Sequence, residues 1–248
     1  MLPEIKFTEK GHKYTVNGKT DYDGVTSILS NLDKSIYLCP WYSKMTSLYL
    51  KDNVKNIVDN SDDQDYLDFI FDDAKKAPKK SAEKSQIAGK MAHKALENRI
   101  KRIDKKESAK SKEYMDNLFK WAKDNNIEFT DSEVLVCDIV YRYVGTFDII
   151  GTYNGEVTIF DYKLRRNIDE AVRLQLAAYQ NAYESMSLQD EKPWPKIVNR
   201  MSIKQHPDTG EIEGTVYTNY EKDIEVFKGL LLVQKWRKKI KNAEDLKI

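Results

Sequence analysis

Two aspartates and a lysine, Asp148, Asp161 and Lys163, lie within the stretch "YRYVGTFDIIGTYNGEVTIFDYK", residues 141–163. At its centre Asn154-Gly155 favours a two-residue type I′ turn between flanking β-rich runs. A turn centred there pairs residues whose numbers add to 309, so Ile150 faces Ile159 and Asp148 faces Asp161. Directly opposed side chains leave one face of a sheet with Cβ atoms roughly 4.5–5.5 Å apart. Lys163 joins that face because residues two apart on a strand point the same way. Two adjacent carboxylates repel, and one takes up a proton unless a divalent cation lies between them. The spacing is that of a metal site.

Other elements must bring further groups to this hairpin. Pro78 marks a break, after which Ser81 to Asp104 reads as a long helix with apolar positions at Ile87, Met91, Ala95, Leu96, Ile100 and Ile103. Gly89, His93 and Glu97 form one stripe on it, at successive four-residue steps. A glycine inside a helix costs about 1 kcal/mol against alanine, which suggests close approach to the backbone there. His93 is a third ligand candidate, since neutral imidazole binds manganese and similar ions. Glu133, on the neighbouring strand "SEVLVCD", and Glu97, one helical turn beyond His93, are secondary ligand candidates. Phe147, Ile149, Phe160 and Tyr162 fall on the face opposite the carboxylates, as in a central strand pair covered by helices. Asn167 precedes a helix with Glu170 placed for a capping-box-like start, and Gln175 and Tyr179 are neighbours on it.

Elsewhere, Asn17-Gly18 predicts an N-terminal hairpin that enters a helix near Thr26. His12 in that hairpin reads as a lone surface histidine. Residues 34–58 read as helical, with Trp41, Tyr42, Leu48, Tyr49, Leu50, Val54 and Ile57 offered to a core. A further helix is expected over Lys112–Asn125. Near the end, two strands flank a turn at His206, and a final helix from Tyr220 buries Ile224, Phe227, Leu230, Leu231, Val233 and Trp236.

Composition narrows the class. A chain of 248 residues can build a full core in one domain with elaborations. Its two cysteines, Cys39 and Cys137, are too few for a disulfide framework or a four-cysteine cluster and suit a cytoplasmic, reducing compartment. Residues 1–10 lack the apolar core of a signal peptide, and no apolar run approaches the ~20 residues of a membrane helix, so a soluble protein is expected. The net charge of +1 conceals segregation: residues 59–73 hold seven aspartates in an acidic loop, and residues 75–112 hold fourteen Lys or Arg against four Asp or Glu. The basic run reads either as a solvated helical face or as a surface that tracks phosphates.

Along the chain stand a helix with "GKMAH", a strand with "GTFD", a strand with "DYK" and a helix with "QLAAY". This order resembles the RecB-like branch of the PD-(D/E)XK nucleases, over roughly residues 85–217. The resemblance implies an α/β fold: a restriction-endonuclease-like core with a central mixed β-sheet flanked by helices, ordered α-β-β-β-α-β. Residues 1–80 would be a mainly helical elaboration packed on a core of residues 81–248. It further implies that His93, Asp148 and Asp161 hold Mg²⁺ or Mn²⁺, with the Tyr162 carbonyl as a further ligand. Lys163 would position or deprotonate the attacking water, and Gln175 and Tyr179 would border the substrate path. Iron–sulfur members of the branch carry four cysteines, so no such cluster is expected here. The implied activity is a phage-type, metal-dependent DNA exonuclease acting on single-stranded DNA or DNA ends in recombination, repair or replication. DNA and a recombination or replication protein would be its partners, with no membrane. The alternatives are a structure-specific endonuclease and a non-catalytic DNA-binding or assembly subunit with a nuclease fold.

Overall fold

The computed structural model describes residues 2–8 and 13–242. Strands β1 (Ile5–Thr8) and β2 (Lys13–Val16) pair antiparallel, with Ile5 opposite Val16. Asn17 and Gly18 have φ of 49° and 74°, as a type I′ turn needs. That turn closes only one bridge, between Val16 and Lys19. The N-terminal hairpin is therefore offset from the expected position, and its connection, with His12, lies outside the described residues. Next, β3 (Asp23–Gly24) runs into α1 (Val25–Leu29), in agreement with a helix start near Thr26.

Two helices, α2 (Ser35–Asp52) and α3 (Val54–Asp59), occupy the expected helical stretch. After them α4 (Gln64–Ile100) passes through Pro78 without a break. Proline inside a helix removes a hydrogen bond and crowds the preceding turn. Here the segment is braced, because Lys80 Nζ pairs with both oxygens of Asp73 at 2.9 and 2.8 Å and Tyr49 donates to the same carboxylate. The acidic stretch is correspondingly helix from Gln64 onward, not loop.

The chain divides into two compact units, one of residues 33–90 and one of residues 1–32 with 91–248. This differs from the expected break at residue 80: the N-terminal hairpin belongs with the larger unit, and the smaller one takes most of α4. In the smaller unit α2 has no buried residue. Tyr42, Leu48 and Val54 are exposed and Trp41, Tyr49, Leu50 and Ile57 only partly covered, so the expected apolar face is not core. So short a segment has too little interior to enclose large side chains.

In the larger unit follow α5 (Ala109–Asp124), β4 (Ile127–Asp138), β5 (Tyr143–Tyr153) and β6 (Glu156–Leu164). They lead to α6 (Ala171–Ser187), β7 (Asn199–Gln205), β8 (Ile212–Tyr217) and α7 (Tyr220–Asn242). The start of α6 is fixed by the Asp169 carboxylate, which accepts from the Ala171 N–H at 3.1 Å, while the Glu170 side chain makes no cap. β4 to β8 lie side by side in chain order, and β3 also pairs with β5. The β6–β7 and β3–β5 pairs are parallel and the others antiparallel, giving a mixed sheet. α1, α6 and α7 pack with Val136, Tyr143, Phe147 and Ile159 in one apolar cluster. The end of α4 and α5 pack with Ile149, Phe160, Tyr162 and Ile203 in the other.

The β5–β6 hairpin turns at Asn154 and Gly155, with φ of 51° and 81°, and its five pairs run from Tyr153 opposite Glu156 to Ile149 opposite Phe160. Every pair keeps the expected register. The ladder stops one pair short of Asp148 and Asp161. Beyond that point β6 follows β7, and β3 takes the freed edge of β5 at Tyr143 and Val144. The two strands thus form a fork. Phe147, expected beside Ile149, instead joins the α6 cluster, its ring 6.0 Å from that of Tyr179. The face assignment changes across Asp148, where both the β4–β5 and the β5–β6 ladders are interrupted.

Candidate metal centre

Asp148 sits in the crotch of this fork. Its Oδ2 accepts the Tyr162 N–H at 2.8 Å, so a side chain continues the ladder where the backbone no longer can. This bond fixes the carboxylate and leaves Oδ1 facing His93 Nδ1 at 3.6 Å. His93 comes from the last turns of α4, where Ala92, Ala95 and Leu96 are buried in the core and hold the helix in place. The His93 ring also packs edge-on against Tyr162, with centroids 5.6 Å apart.

Glu133 completes a three-ligand group. One ligand atom each of His93, Glu133 and Asp148 lies within 4.8 Å of the others. In the β4–β5 register Ser132 faces Ile149 and Val134 faces Phe147, so Glu133 falls opposite Asp148 but outside the ladder. Its φ is 54°, a left-handed conformation that costs a glutamate roughly 1–3 kcal/mol. That kink aims the carboxylate into the fork. Burial pushes the Glu133 carboxyl up, and the nearby Asp148 charge adds to the effect. Two carboxylates and an imidazole gathered in this way suit a divalent cation.

Asp161 lies on the other prong, 1% exposed. Its Oδ1 accepts from Lys163 Nζ at 2.7 Å, while its Oδ2 is buried with no hydrogen-bond partner among the described residues. An orphaned carboxylate oxygen is costly in a protein interior, and a metal ion would satisfy it. Burial pushes the Asp161 carboxyl up to about 6, Lys163 opposes that and Asp148 reinforces it. At Lys163 burial disfavours the ammonium, but the Asp161 and Asp148 carboxylates outweigh it and hold the group charged. Lysine is therefore the cation of the pair.

The remaining expected residues divide. Tyr162 contributes its N–H to Asp148 and its hydroxyl to Gln205 Oε1 at 2.6 Å. Gln175 donates to the Tyr179 hydroxyl at 3.0 Å on α6. Tyr179 is buried, and burial holds its phenol well above the ordinary range, with the Asp148 and Asp161 charges adding to the effect. Gly145, the glycine of "GTFD", makes room for it: a Cβ there would stand 2.6 Å from the Tyr179 ring. Gly89, by contrast, has open space where its Cβ would be. Glu97 is taken by Lys94 at 2.6 Å and Lys101 at 3.4 Å. His206 serves its turn, its Nδ1 accepting from the Asp208 and Thr209 N–H groups.

Two residues at the fork escape a reading by motif. Glu133 could be found only by aligning β4 against β5 through the connection at residues 139–142, which has no turn signature. Tyr14 on β2 reaches Thr146 Oγ1 at 3.3 Å and lies within electrostatic range of Glu133, a contact between distant parts of the chain.

Six of the fourteen basic residues in 75–112, namely Lys75, Lys76, Lys80, Lys94, Arg99 and Lys101, make ion pairs with nearby carboxylates. The solvated-face reading accounts for those six. No helix among the described residues is long and apolar enough to cross a membrane.

No curated protein gives a significant match to the chain. A family model described as the PD-(D/E)XK nuclease superfamily matches residues 58–244, about three quarters of the sequence. That span carries the whole fork, the helix behind His93 and the helix with Gln175 and Tyr179, and the mixed sheet flanked by helices is consistent with that fold. The chain belongs to the PD-(D/E)XK nuclease superfamily, whose members are nucleases that use divalent metal ions.

Proposed function

We propose that the protein is a Mg²⁺- or Mn²⁺-dependent DNA exonuclease that hydrolyses phosphodiester bonds from single-stranded or duplex ends. The observation that carries the metal site is the unpartnered, buried Asp161 Oδ2 beside the His93–Glu133–Asp148 group. His93, Glu133, Asp148 and Asp161 would hold the ion, with the Tyr162 carbonyl as a further oxygen donor. A bound divalent ion lowers the pKa of water and neutralises charge developing on phosphoryl oxygens.

The chain's own groups do the rest. Tyr162 N–H keeps Asp148 oriented, and Asp161 keeps Lys163 oriented, so neither charged group must reorganise during the reaction. Lys163, held as an ammonium, donates a hydrogen bond that positions the attacking water or steadies the scissile phosphate. Gln175 and Tyr179 support the floor of the fork and border the substrate path. The basic residues of 75–112 outside the local ion pairs supply phosphate contacts. The RecB-like motif order supports action in recombination, repair or replication with a partner protein from one of those processes, and a compact chain with its own hairpin start suits a phage-type enzyme.

Digestion of end-labelled linear and of circular single-stranded DNA with Mg²⁺ or Mn²⁺ tests this. Wild type should degrade the linear substrate, and Asp161→Ala and Lys163→Ala should not. Equal degradation by all three removes the fork from the chemistry. Cutting of the circle makes the protein an endonuclease instead.

A further inference from the structure

The final helix keeps an apolar stripe that its own fold does not cover. α7 buries Ile224, Phe227 and Leu231 in the cluster it shares with α1 and α6, as expected of a core face. Val233 and Trp236, expected in the same core, are 38% and 59% exposed. With Val226, Gly229 and Ile240 they recur at alternating three- and four-residue steps, the spacing of a two-helix seam. Leu232, 69% exposed, lies on one flank of the stripe. On that same flank, seven residues to either side of Leu232, stand Glu225 and Lys239.

We propose that this face of α7 is the contact between two copies of the chain, paired antiparallel about a twofold axis near Val233. The pattern is self-complementary only in that sense. Antiparallel pairing sets Glu225 of each copy beside Lys239 of the other, Leu232 beside Leu232, and Val226 beside Ile240. It also sets Trp236 of one copy over Gly229 of the other, where nothing stands within 4 Å of the Cβ position. A parallel arrangement would oppose like charges and stack Trp236 on Trp236. An isologous contact of this kind closes after two subunits.

The β4–β5 connection widens the contact. Lys235 Nζ donates to the Tyr141 carbonyl at 2.9 Å and Lys228 Nζ lies 4.5 Å from the Tyr141 ring centroid. Both lysines border the Leu232 flank, so Ile139 and Val140, exposed in that connection, extend the same apolar surface. Patches of this kind on soluble proteins mark interaction sites.

Sedimentation of the full chain over a range of concentrations tests the proposal. Wild type should show a monomer–dimer equilibrium. Gly229→Leu should abolish the dimer while improving helix propensity, so loss of association is separable from unfolding by circular dichroism. Glu225→Lys should weaken the dimer, and Glu225→Lys with Lys239→Glu should restore it. A wild type that stays monomeric at high concentration, or a Gly229→Leu variant that dimerises as wild type does, overturns the proposal. Nuclease activity is read in parallel, and its presence or absence leaves this result unaffected.

Discussion

Asp148 and Tyr162 are joined side chain to backbone, Oδ2 accepting the N–H at 2.8 Å, at the point where β5 and β6 part. One carboxylate thus has two contacts: Oδ2 continues the sheet at Tyr162, and Oδ1 faces His93 Nδ1 at 3.6 Å.

Those contacts separate by substitution. Asp148→Ala leaves the Tyr162 N–H without its acceptor and should destabilise the fold by about 1–3 kcal/mol. Asp148→Asn keeps an acceptor oxygen and should melt within about 1 kcal/mol of wild type. Both should lose nuclease activity by on the order of 10²-fold or more. Thermal melts beside a nuclease assay check this, and an equally unstable Asn variant would show that the hydrogen bond is not what matters.

Glu133 and Glu97 should behave oppositely. Glu133→Gln removes a carboxylate whose strained backbone aims it at Asp148, and Mn²⁺ affinity by calorimetry should fall by about 10–100-fold. Glu97→Gln loses only its pairs with Lys94 and Lys101 and should leave that affinity unchanged. If the two variants bind alike, the three-ligand group is not the metal site.

Metal should stabilise the fold through the fork. At about 100 times its dissociation constant, Mn²⁺ should add about 2.7 kcal/mol to wild-type stability by mass action. Asp161→Ala, which removes the orphaned oxygen, should gain much less. Chelator should return wild type to its metal-free melting point.

Gly145 and Gly89 give a paired test of packing. Gly145→Ala drives a methyl to 2.6 Å from Tyr179 and 3.2 Å from Val25, so it should cost about 1–3 kcal/mol and lower activity by moving Tyr179. Gly89→Ala meets open space in a helix and should gain up to about 1 kcal/mol. Denaturant unfolding reads both, and a stabilised Gly145→Ala would refute the close-contact account.

Cys137 should set an alkaline limit. Burial pushes its thiol from about 9 up to about 11, with Asp138 adding to the shift. The unfolded thiol ionises first as pH rises, so this contribution is complete below about pH 9 and lost by about pH 11. The loss is at most about 3 kcal/mol. Cys137→Ala should flatten the stability profile in that window. At pH 8, an alkylating reagent should label the exposed Cys39 of the native protein and spare Cys137.

The sequence alone determined what rests on neighbours in the chain. Asn154-Gly155 set the register of β5 and β6 because its turn geometry leaves little choice, and the order of the "GKMAH", "GTFD", "DYK" and "QLAAY" segments carried the superfamily. Helix periodicity located α5 and α6, since one buried face suffices to define them. Only the tertiary structure decided what depends on partners distant in sequence. The ladder ends at Ile149 while β6 stays paired with β7 through Leu164, and Glu133 comes opposite Asp148 because β4 folds back through a connection without a turn motif. Pro78 stays helical because Tyr49 and Lys80 both hold Asp73. Trp236 reads as core by periodicity, yet it is exposed, because a helix records which residues share a face and not how wide a face its neighbours can cover.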